Sequence, residues 1–336
     1  VCSEMCIRDR STDVNHFSGS LKNRSEWLPF LDNFQTLPIR FTNELNSLKE
    51  KDSVLPNPEN KRPRKNPVRQ ALLYQEILDK LIMAFKLAER VLVPTMVCFD
   101  GFRLSHTVMP VEVPDQKEVD EFLPPFEPVY EIDPDNPINI NPVVMTDPLP
   151  GPDGELCPSY MGFRRRLQKT LENVLPVYRE VGTEFAEKFG RDYSDPLYRY
   201  RADDAEILFV AQGSVASEAT AATDILRDKG IKIGVLGLNI FRPFPAEDLS
   251  NATKNARVLA VFEKGISYGY EGVLCSELKA ALFSHNGHRP QVLNFIVGLG
   301  GKDLNPGDLV GAIEDVLAKM KEGHEMKTPQ WLGSGV

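Results

Sequence analysis

The sequence predicts an α/β protein whose second half forms a mainly parallel, doubly wound sheet. Four apolar runs after residue 200 have the length and composition of strands buried on both faces. Amphipathic stretches separate these runs, and that alternation is typical of parallel strands joined by crossover helices. The predicted strands are 206–211, 231–238, 257–263 and 291–297, and the predicted helices are about 215–229, 246–255, 271–284 and 306–321.

Charge is distributed in blocks along the 336 residues, whose net charge is −9. Residues 1–69 hold 12 basic and 9 acidic side chains, including the basic cluster 61–65, whereas 110–160 hold 12 acidic side chains and one lysine. We interpret 1–69 as a disordered or artefactual leader; a nucleic-acid or localisation patch is the less favoured alternative. The acidic block argues against nucleic-acid binding there, and no apolar run reaches the ~18–20 residues of a membrane span.

The five cysteines are scattered and odd in number, which favours a reducing compartment and a cytoplasmic location over a disulfide framework. No pair has Cys-x-x-Cys spacing, and no set of four ligands with zinc-site spacing is visible, so no metal site is predicted. The cysteines are Cys2, Cys6, Cys98, Cys157 and Cys275.

A helix and then a strand are predicted just after the leader. Apolar side chains repeat at helical spacing along one face, with Leu78 and Ile82 beside it. The β-branched run 91–99 is typical of a strand, and its proline suits an edge or irregular strand. The apolar face consists of Leu73, Ile77, Leu81, Phe85 and Ala88.

The polar segment 100–107 (DGFRLSHT) is the richest in chemical groups. It would follow the predicted strand at its carboxyl end, where open α/β sheets usually bind ligands. Its carboxylate, guanidinium, hydroxyls and imidazole suit acid–base chemistry or the binding of an anionic substrate. A lone histidine near a strand end is nevertheless more often a structural hydrogen-bond partner, so the residues alone assign no reaction.

Residues 110–158 contain 12 of the 26 prolines and show no periodicity, which predicts an extended segment. Disorder is one interpretation. The other, slightly favoured, is an arm that lies across another surface through apolar anchors such as those in 122–126. The next stretch, about 160–188, has apolar residues at helical spacing, and Pro176 should bend that helix.

Three turns in the second half carry weaker signals. The pair Gly213-Ser214 opens a helix and could hold a phosphate, but without a G-x-G-x-x-G pattern a capped turn is favoured. The loop 298–303 lacks the ending of a phosphate loop, so its glycines indicate a tight backbone path. Arg242 lies between two aromatics and two prolines, either in a packing corner or paired with a carboxylate across an interface.

Several long blocks, in order, resemble the alpha subunit of the pyruvate:ferredoxin oxidoreductases and their 2-oxoacid relatives. The segment 93–128, VPTMVCFDGFRLSHTVMPVEVPDQKEVDEFLPPFEP, resembles the end of that subunit's first domain. The second domain is matched by VGTEFAEKFGRDY, by DDAEILFVAQGSVASEA with GVLGLNIFRPFP, and by VFEKGISYGYEGVLCSELKAAL with NFIVGLGGKDL. The resemblance covers about 70–325 and is more specific than any single motif here.

This resemblance implies oxidative decarboxylation of a 2-oxoacid to acyl-coenzyme A and CO2, with thiamine diphosphate attacking the carbonyl and electrons passing through iron–sulfur clusters to ferredoxin. It implies that this chain supplies the pyrimidine side of the thiamine site, while a beta subunit supplies the diphosphate and Mg2+ side. The iron–sulfur clusters would lie on partner subunits, including gamma and delta, and none on this chain. Pyruvate is the first expected substrate, and branched-chain 2-oxoacids are the second.

The resemblance also implies a domain organisation. A transketolase C-terminal-like sheet domain would follow the C-terminal fragment of a thiamine-diphosphate pyrimidine-type α/β domain and a long proline-rich linker. The expected divisions are a leader, 1–69; the fragment, 70–110; the acidic linker, 111–160; a helical connector, 161–200; the α/β domain, 201–325; and a tail, 326–336.

Residues 11–69 do not resemble the family's upstream region, so the chain looks truncated or spliced. The glutamate that activates the aminopyrimidine in this family therefore has no counterpart that can be assigned. We expect that this chain cannot turn over substrate even with a beta subunit. The alternatives are a non-catalytic assembly module and a stand-alone nucleotide-binding protein. The resemblance implies proximity to the active site, without a chemical step, for Asp100, Gly101, Arg103, Ser105 and His106.

Overall fold

The computed structural model describes residues 67–101, 103–127, 147, 149–150, 156–157, 159–284, 289–324 and 326–333. The predicted leader and most of the predicted linker therefore lie outside the described residues. The helices are α1 (Pro67–Val91), α2 (Arg103–His106), α3 (Gln116–Phe122), α4 (Tyr160–Glu172), α5 (Val174–Phe189), α6 (Gly213–Asp228), α7 (Ala246–Ala252), α8 (Val273–Ser284) and α9 (Pro306–Lys321). The strands are β1 (Leu149–Pro150), β2 (Leu156–Cys157), β3 (Leu197–Tyr200), β4 (Ile207–Gln212), β5 (Ile233–Leu238), β6 (Val258–Glu263), β7 (Gln291–Ile296) and β8 (Gln330–Trp331).

A six-stranded sheet in the order β3-β5-β4-β6-β7-β8 organises the second half of the chain. Neighbouring strands from β5 to β8 run parallel, with Ile207 of β4 opposite Ile233 of β5 on one side and Val258 of β6 on the other. Strand β3 pairs antiparallel with β5, and β1 and β2 form a separate antiparallel pair. The predicted mainly parallel sheet is confirmed, and its four predicted strands match β4 to β7 within two residues at each end.

Both faces of this sheet are buried, as the continuous apolar strands predict. Alternate residues of β4 point to opposite faces: Phe209 packs in one apolar cluster and Leu208 in the other. Helices α6 and α9 cover the first face, where Phe262 and Phe295 stack with ring centroids 4.5 Å apart. Helices α7 and α8 cover the second face. The sheet is therefore doubly wound.

The sheet extends beyond the predicted domain limits 201–325 at both ends. Strand β3 lies in the predicted helical connector, and its Leu197 is opposite Leu238 of β5. Strand β8 lies in the predicted tail, and its Gln330 is opposite Phe295 of β7. These strands have only four and two residues, so neither carries enough apolar periodicity to be recognised in the sequence.

A third apolar cluster joins α1, α3 and α5. Phe122, the last residue of α3, is buried between Phe185 and Phe189 of α5, with ring centroids 5.4 and 5.6 Å away. Met83 and Leu87 of α1 lie in the same cluster. The prediction that this acidic proline-rich segment is extended was therefore wrong at its described start, which contains α3 and is anchored as an arm by that helix. Residues 128–146 lie outside the described residues.

The strand predicted at 91–99 was wrong. Helix α1 continues to Val91 and ends at Leu92, whose φ is +52°, and residues 94–100 have no regular secondary structure. A β-branched run becomes a strand only beside a partner, and Pro94 removes one donor that pairing would need.

The buried face of α1 also differs from the predicted face. Phe85, predicted to be part of the apolar face, is 55 % exposed. The buried residues are instead Gln75, Asp79, Met83 and Leu87, spaced four residues apart. The carboxylate of Asp79 accepts hydrogen bonds from the segment after α5. This contact explains why two polar side chains of α1, Gln75 and Asp79, are buried.

The single bent helix predicted over 160–188 is in fact two helices. Asn173 ends α4 and begins α5, and Ser159 caps the start of α4 by accepting a hydrogen bond from the Gly162 amide at 3.2 Å. Pro176 falls in the first turn of α5, where a missing N–H costs nothing. The break therefore precedes the proline.

No helix in the described part of the chain is long and apolar enough to cross a membrane.

Candidate functional site

The carboxyl edge of the sheet contains a topological switch point between β4 and β6. From β4 the chain passes through α6 to β5 on one side, and β6 lies on the other side of β4. Loops leave neighbouring strands in opposite directions at such a point, so a crevice opens there, and open α/β sheets commonly bind ligands in it. Ser214 follows β4 at this edge, and Lys264 follows β6.

Asp100 fills this crevice from outside the sheet. The Lys264 Nζ lies 3.0 Å from the Asp100 Oδ1 and donates a hydrogen bond of 3.0 Å to the Ser214 Oγ. The Asp100 Oδ2 is enclosed and faces Gly213, where an added Cβ would lie 3.9 Å away. A carboxylate therefore lies beside the first residue of α6, at the helix end that favours negative charge.

The glycines around this contact leave room for it. Gly213 has a φ of +51°, which a residue with a side chain adopts only with strain. Gly298, after β7, has a φ of +65°, and an added Cβ there would lie 3.0 Å from the Lys264 Cε. The loops after β4, β6 and β7 thus converge on one lysine and one carboxylate.

Among the predicted site residues whose side chains the structure describes, Asp100 is the one that lies in this crevice. Gly101 follows it and is half-buried. Arg103 begins α2, and its side chain is outside the described part of the chain. Ser105 and His106 are exposed on α2, with the Ser105 Oγ 2.8 Å from the His106 Nδ1. The predicted segment is therefore a surface loop fixed at its first residue.

Sequence reasoning missed Lys264 and the buried carboxylate before it. Glu263 ends β6 and accepts hydrogen bonds from the amides of Leu274 and Cys275, at 2.8 and 3.1 Å, and from the Asn294 Nδ2 at 2.8 Å. Burial raises the pKa of this carboxyl group, and the donated hydrogen bonds oppose that rise. Glu263 thus caps the N-terminus of α8 and holds the backbone just before Lys264.

A second buried carboxylate, Glu271, supports the same helix start. Its oxygens accept hydrogen bonds from Ser276, at 3.2 Å, and from Lys279. Cys275 lies between the two carboxylates, and burial, reinforced by the negative charge of Glu271, raises the pKa of its thiol to about 12. This thiol is protonated at neutral pH, so it is not an activated nucleophile.

The two other turns noted in the sequence, the loop 298–303 and the turn at Arg242, shape and pack the chain. Gly298, Gly300 and Gly301 all have positive φ, which confirms a tight backbone path, and their loop lines a shallow cavity of about 250 Å³ beside Trp331. Arg242 pairs with Glu277 of α8 and lies over the ring of Phe241, 4.4 Å from its centroid. The arginine is thus part of a packing corner within the chain.

Two protein families match the chain, one over its first half and one over the sheet domain. Residues 70–155 match the thiamine diphosphate-binding domain of pyruvate flavodoxin/ferredoxin oxidoreductases. Residues 205–309 match core domain II of pyruvate:ferredoxin oxidoreductase. Asp100 lies in the first match, and Ser214 and Lys264 lie in the second, so the contact in the crevice joins the two family domains.

Curated relatives agree with these matches. Pyruvate synthase subunit PorA of Methanothermobacter thermautotrophicus is 39 % identical over 261 residues, which are 77 % of this chain and 62 % of that protein. Ketoisovalerate oxidoreductase subunit VorA of Pyrococcus abyssi is 38 % identical over 258 residues, 76 % of this chain and 62 % of that protein. The chain belongs to the alpha-subunit family of the 2-oxoacid:ferredoxin oxidoreductases. It spans about three-fifths of the length of these relatives.

The described residues at the switch point do not fit the diphosphate of thiamine diphosphate. Lys264 is already paired with Asp100, and that carboxylate would repel a second anion beside the start of α6. Among the residues that the structure describes, no three His, Cys, Asp or Glu side chains are grouped so as to hold a metal ion.

Proposed function

We propose that this chain acts as the alpha-type subunit of a thiamine diphosphate-dependent 2-oxoacid:ferredoxin oxidoreductase. The complete enzyme to which such a subunit belongs would carry out oxidative decarboxylation to acyl-coenzyme A and CO2, with the electrons passed to ferredoxin. The observation that carries this proposal is the pair of family domains in one chain, with about 39 % identity to PorA. Asp100, Gly101, Arg103, Ser105 and His106 would lie near the cofactor without performing a chemical step.

The partner subunits complete this proposal. A beta-type subunit would hold the diphosphate and Mg2+, because the anion-binding edge of this chain is already filled by its own Asp100. Gamma- and delta-type subunits would carry iron–sulfur clusters and deliver electrons to ferredoxin. We propose a cytoplasmic location for this complex, in keeping with the scattered cysteines.

Pyruvate is the first substrate we propose, and a branched-chain 2-oxoacid is the second. The identities to PorA and VorA, 39 and 38 %, support both substrates almost equally. A bound ligand raises the melting temperature of the species that binds it. The complex should therefore melt at a higher temperature with the true 2-oxoacid than with the other, measured by calorimetry in the presence of thiamine diphosphate and Mg2+.

The main alternative is a module that only assembles the complex. Both functions require that the chain co-purify with a beta-type subunit, but only a thiamine-site subunit changes the affinity for the cofactor. Titration of thiamine diphosphate into the beta-type subunit, with and without this chain, separates the two. We expect tighter binding in the presence of the chain, and an unchanged dissociation constant would favour the assembly module.

A further inference from the structure

The strongest unassigned feature is the ion pair between Asp100 and Lys264, which joins two parts of the chain 164 positions apart in sequence. Both side chains are mostly buried, with exposed fractions of 21 and 27 %. Solvent screens a contact of this kind less than it screens an exposed surface ion pair. Such a contact can hold two segments in a fixed relation.

In the segment that carries Asp100, the described side chains from 92 to 108 are half-buried or exposed, and none belongs to an apolar core cluster. Residues 94–100 have no regular secondary structure, and α2 is only four residues long. Large apolar side chains along this segment face solvent rather than a core: Leu92, Met96 and Val108 are 61, 67 and 70 % exposed. Apolar burial of these three side chains therefore contributes little to the position of the segment.

The residues around Lys264, on the sheet-domain side of the contact, are held by several hydrogen bonds. Lys264 directly follows Glu263, whose carboxylate is fixed by two amides of α8 and by Asn294. Ser214, the other partner of Lys264, lies in the first turn of α6, whose inner face is buried. The position of Lys264 is thus supported by contacts that do not involve Asp100.

We propose that Asp100 and Lys264 are positioning residues that fix the segment 100–107 to the sheet domain. This role rests on the proposed function, in which the segment is part of the thiamine diphosphate-binding domain. The ion pair then fixes the position of that domain's loop relative to the shared cofactor site. Lys264 acts through Asp100 and touches neither cofactor nor substrate. The ion pair and its serine partner thus form one coupling between the two family domains, in addition to the hydrogen bond that the Lys80 Nζ donates to the Asn239 Oδ1 at 3.0 Å.

The first test measures the position of the segment directly and does not depend on the proposed function. Trypsin needs an extended stretch of chain around the bond that it cleaves, so the cleavage rate of the 103–104 bond, within helix α2, rises when the segment opens. We expect about a tenfold faster cleavage, followed by mass spectrometry, in Lys264→Met and Asp100→Asn, and little change in Lys264→Arg. Lys229→Met, which breaks an exposed pair with Glu314 far along the sheet domain, is the matched control.

Unchanged cleavage in both Lys264→Met and Asp100→Asn, each with a melting temperature near that of the wild type, would overturn the proposal. Asp100→Asn keeps the shape of the side chain, so it remains informative if Lys264→Met lowers the melting temperature.

The second test links the contact to the cofactor. In the complex with the beta-type subunit, Lys264→Met should weaken thiamine diphosphate binding about tenfold, which is about 1.4 kcal/mol, and Lys264→Arg should restore most of it. If the wild-type complex binds thiamine diphosphate and the Lys264→Met complex binds it equally well, the positioning role is contradicted. If the wild-type complex does not bind at all, the proposed function fails, while the proteolysis result still decides whether the contact fixes the segment.

Discussion

Arg191 donates hydrogen bonds to both carboxylate oxygens of Asp79, at 2.6 and 3.0 Å, and the Asp79 side chain is completely buried. The Tyr193 hydroxyl donates to the same carboxylate at 2.9 Å, and the Gln75 Nε2 donates at 3.0 Å. This network joins α1 to the segment that follows α5. A buried carboxylate needs such a set of donors, because without them its loss of hydration would not be offset.

Arg191→Ala should destabilise the protein by about 3–5 kcal/mol, because it leaves the charge of Asp79 buried and unpaired. Arg199→Ala is the matched control: Arg199 pairs with Asp195 at the surface, and its loss should cost under about 1 kcal/mol. Urea unfolding followed by circular dichroism measures both changes. A cost for Arg191→Ala similar to that of the control would contradict the structural role of the network.

Gly272→Ala should disrupt the cap of α8. An added Cβ would lie 1.9 Å from the Glu263 Oε1, a buried atom that cannot move without losing its hydrogen bonds. We expect a loss of about 1–3 kcal/mol of unfolding free energy. Gly311→Ala, inside α9 with open space around the new Cβ, should instead stabilise the protein by about 0.5–1 kcal/mol. In thermal denaturation, the melting temperature should therefore fall for Gly272→Ala and rise for Gly311→Ala.

Cys275 should resist alkylation in the folded protein. Its thiol is fully buried and has a pKa of about 12, whereas the Cys98 side chain is exposed. With iodoacetamide at pH 8, peptide mass spectrometry should show Cys98 modified roughly 100-fold faster than Cys275. Both should react in urea. Fast modification of Cys275 without denaturant would show that the start of α8 opens readily.

Asp204 should titrate well below the ordinary range of an aspartate. Hydrogen bonds from Arg227, 2.7 Å to each carboxylate oxygen, lower the pKa of Asp204 from 3.8 to about 2. Because the folded-state pKa is lowered, the stabilisation is present above pH 3.8 and is lost as the pH falls towards 2. Carbon NMR titration should give a midpoint near 2, and Arg227→Gln should move it back towards 3.8. A midpoint that Arg227→Gln leaves unchanged would contradict this assignment.

The strands β4 to β7 could be predicted because each is a mostly apolar run, and burial on both faces of a sheet favours such a run. The buried face of α1 could not be predicted from its own sequence. Gln75 and Asp79 face inward because Asp79 binds Arg191, which lies more than a hundred positions away along the chain. A strand at 91–99 was predicted from its β-branched residues, yet pairing depends on a neighbour that the local sequence does not specify. Lys264 was missed for the same reason.

The candidate site was predicted in part. Chemical richness singled out the segment 100–107, and the structure brings Asp100 to the switch point while Ser105 and His106 stay exposed. The phosphate-binding alternative at Gly213-Ser214 is not supported, because Asp100 lies beside that helix start. A sequence pattern reports which groups are present, whereas their pairing is decided by packing between distant segments.

The affinity of the assembled complex for thiamine diphosphate tests the central claim most directly. Isothermal titration would compare the beta-type subunit alone, this chain alone, and the two together with Mg2+. We predict weak or no binding to either alone and clearly tighter binding to the pair, because each chain supplies one side of the cofactor site. A dissociation constant for the pair equal to that of the beta-type subunit alone would contradict this prediction and identify the chain as an assembly module.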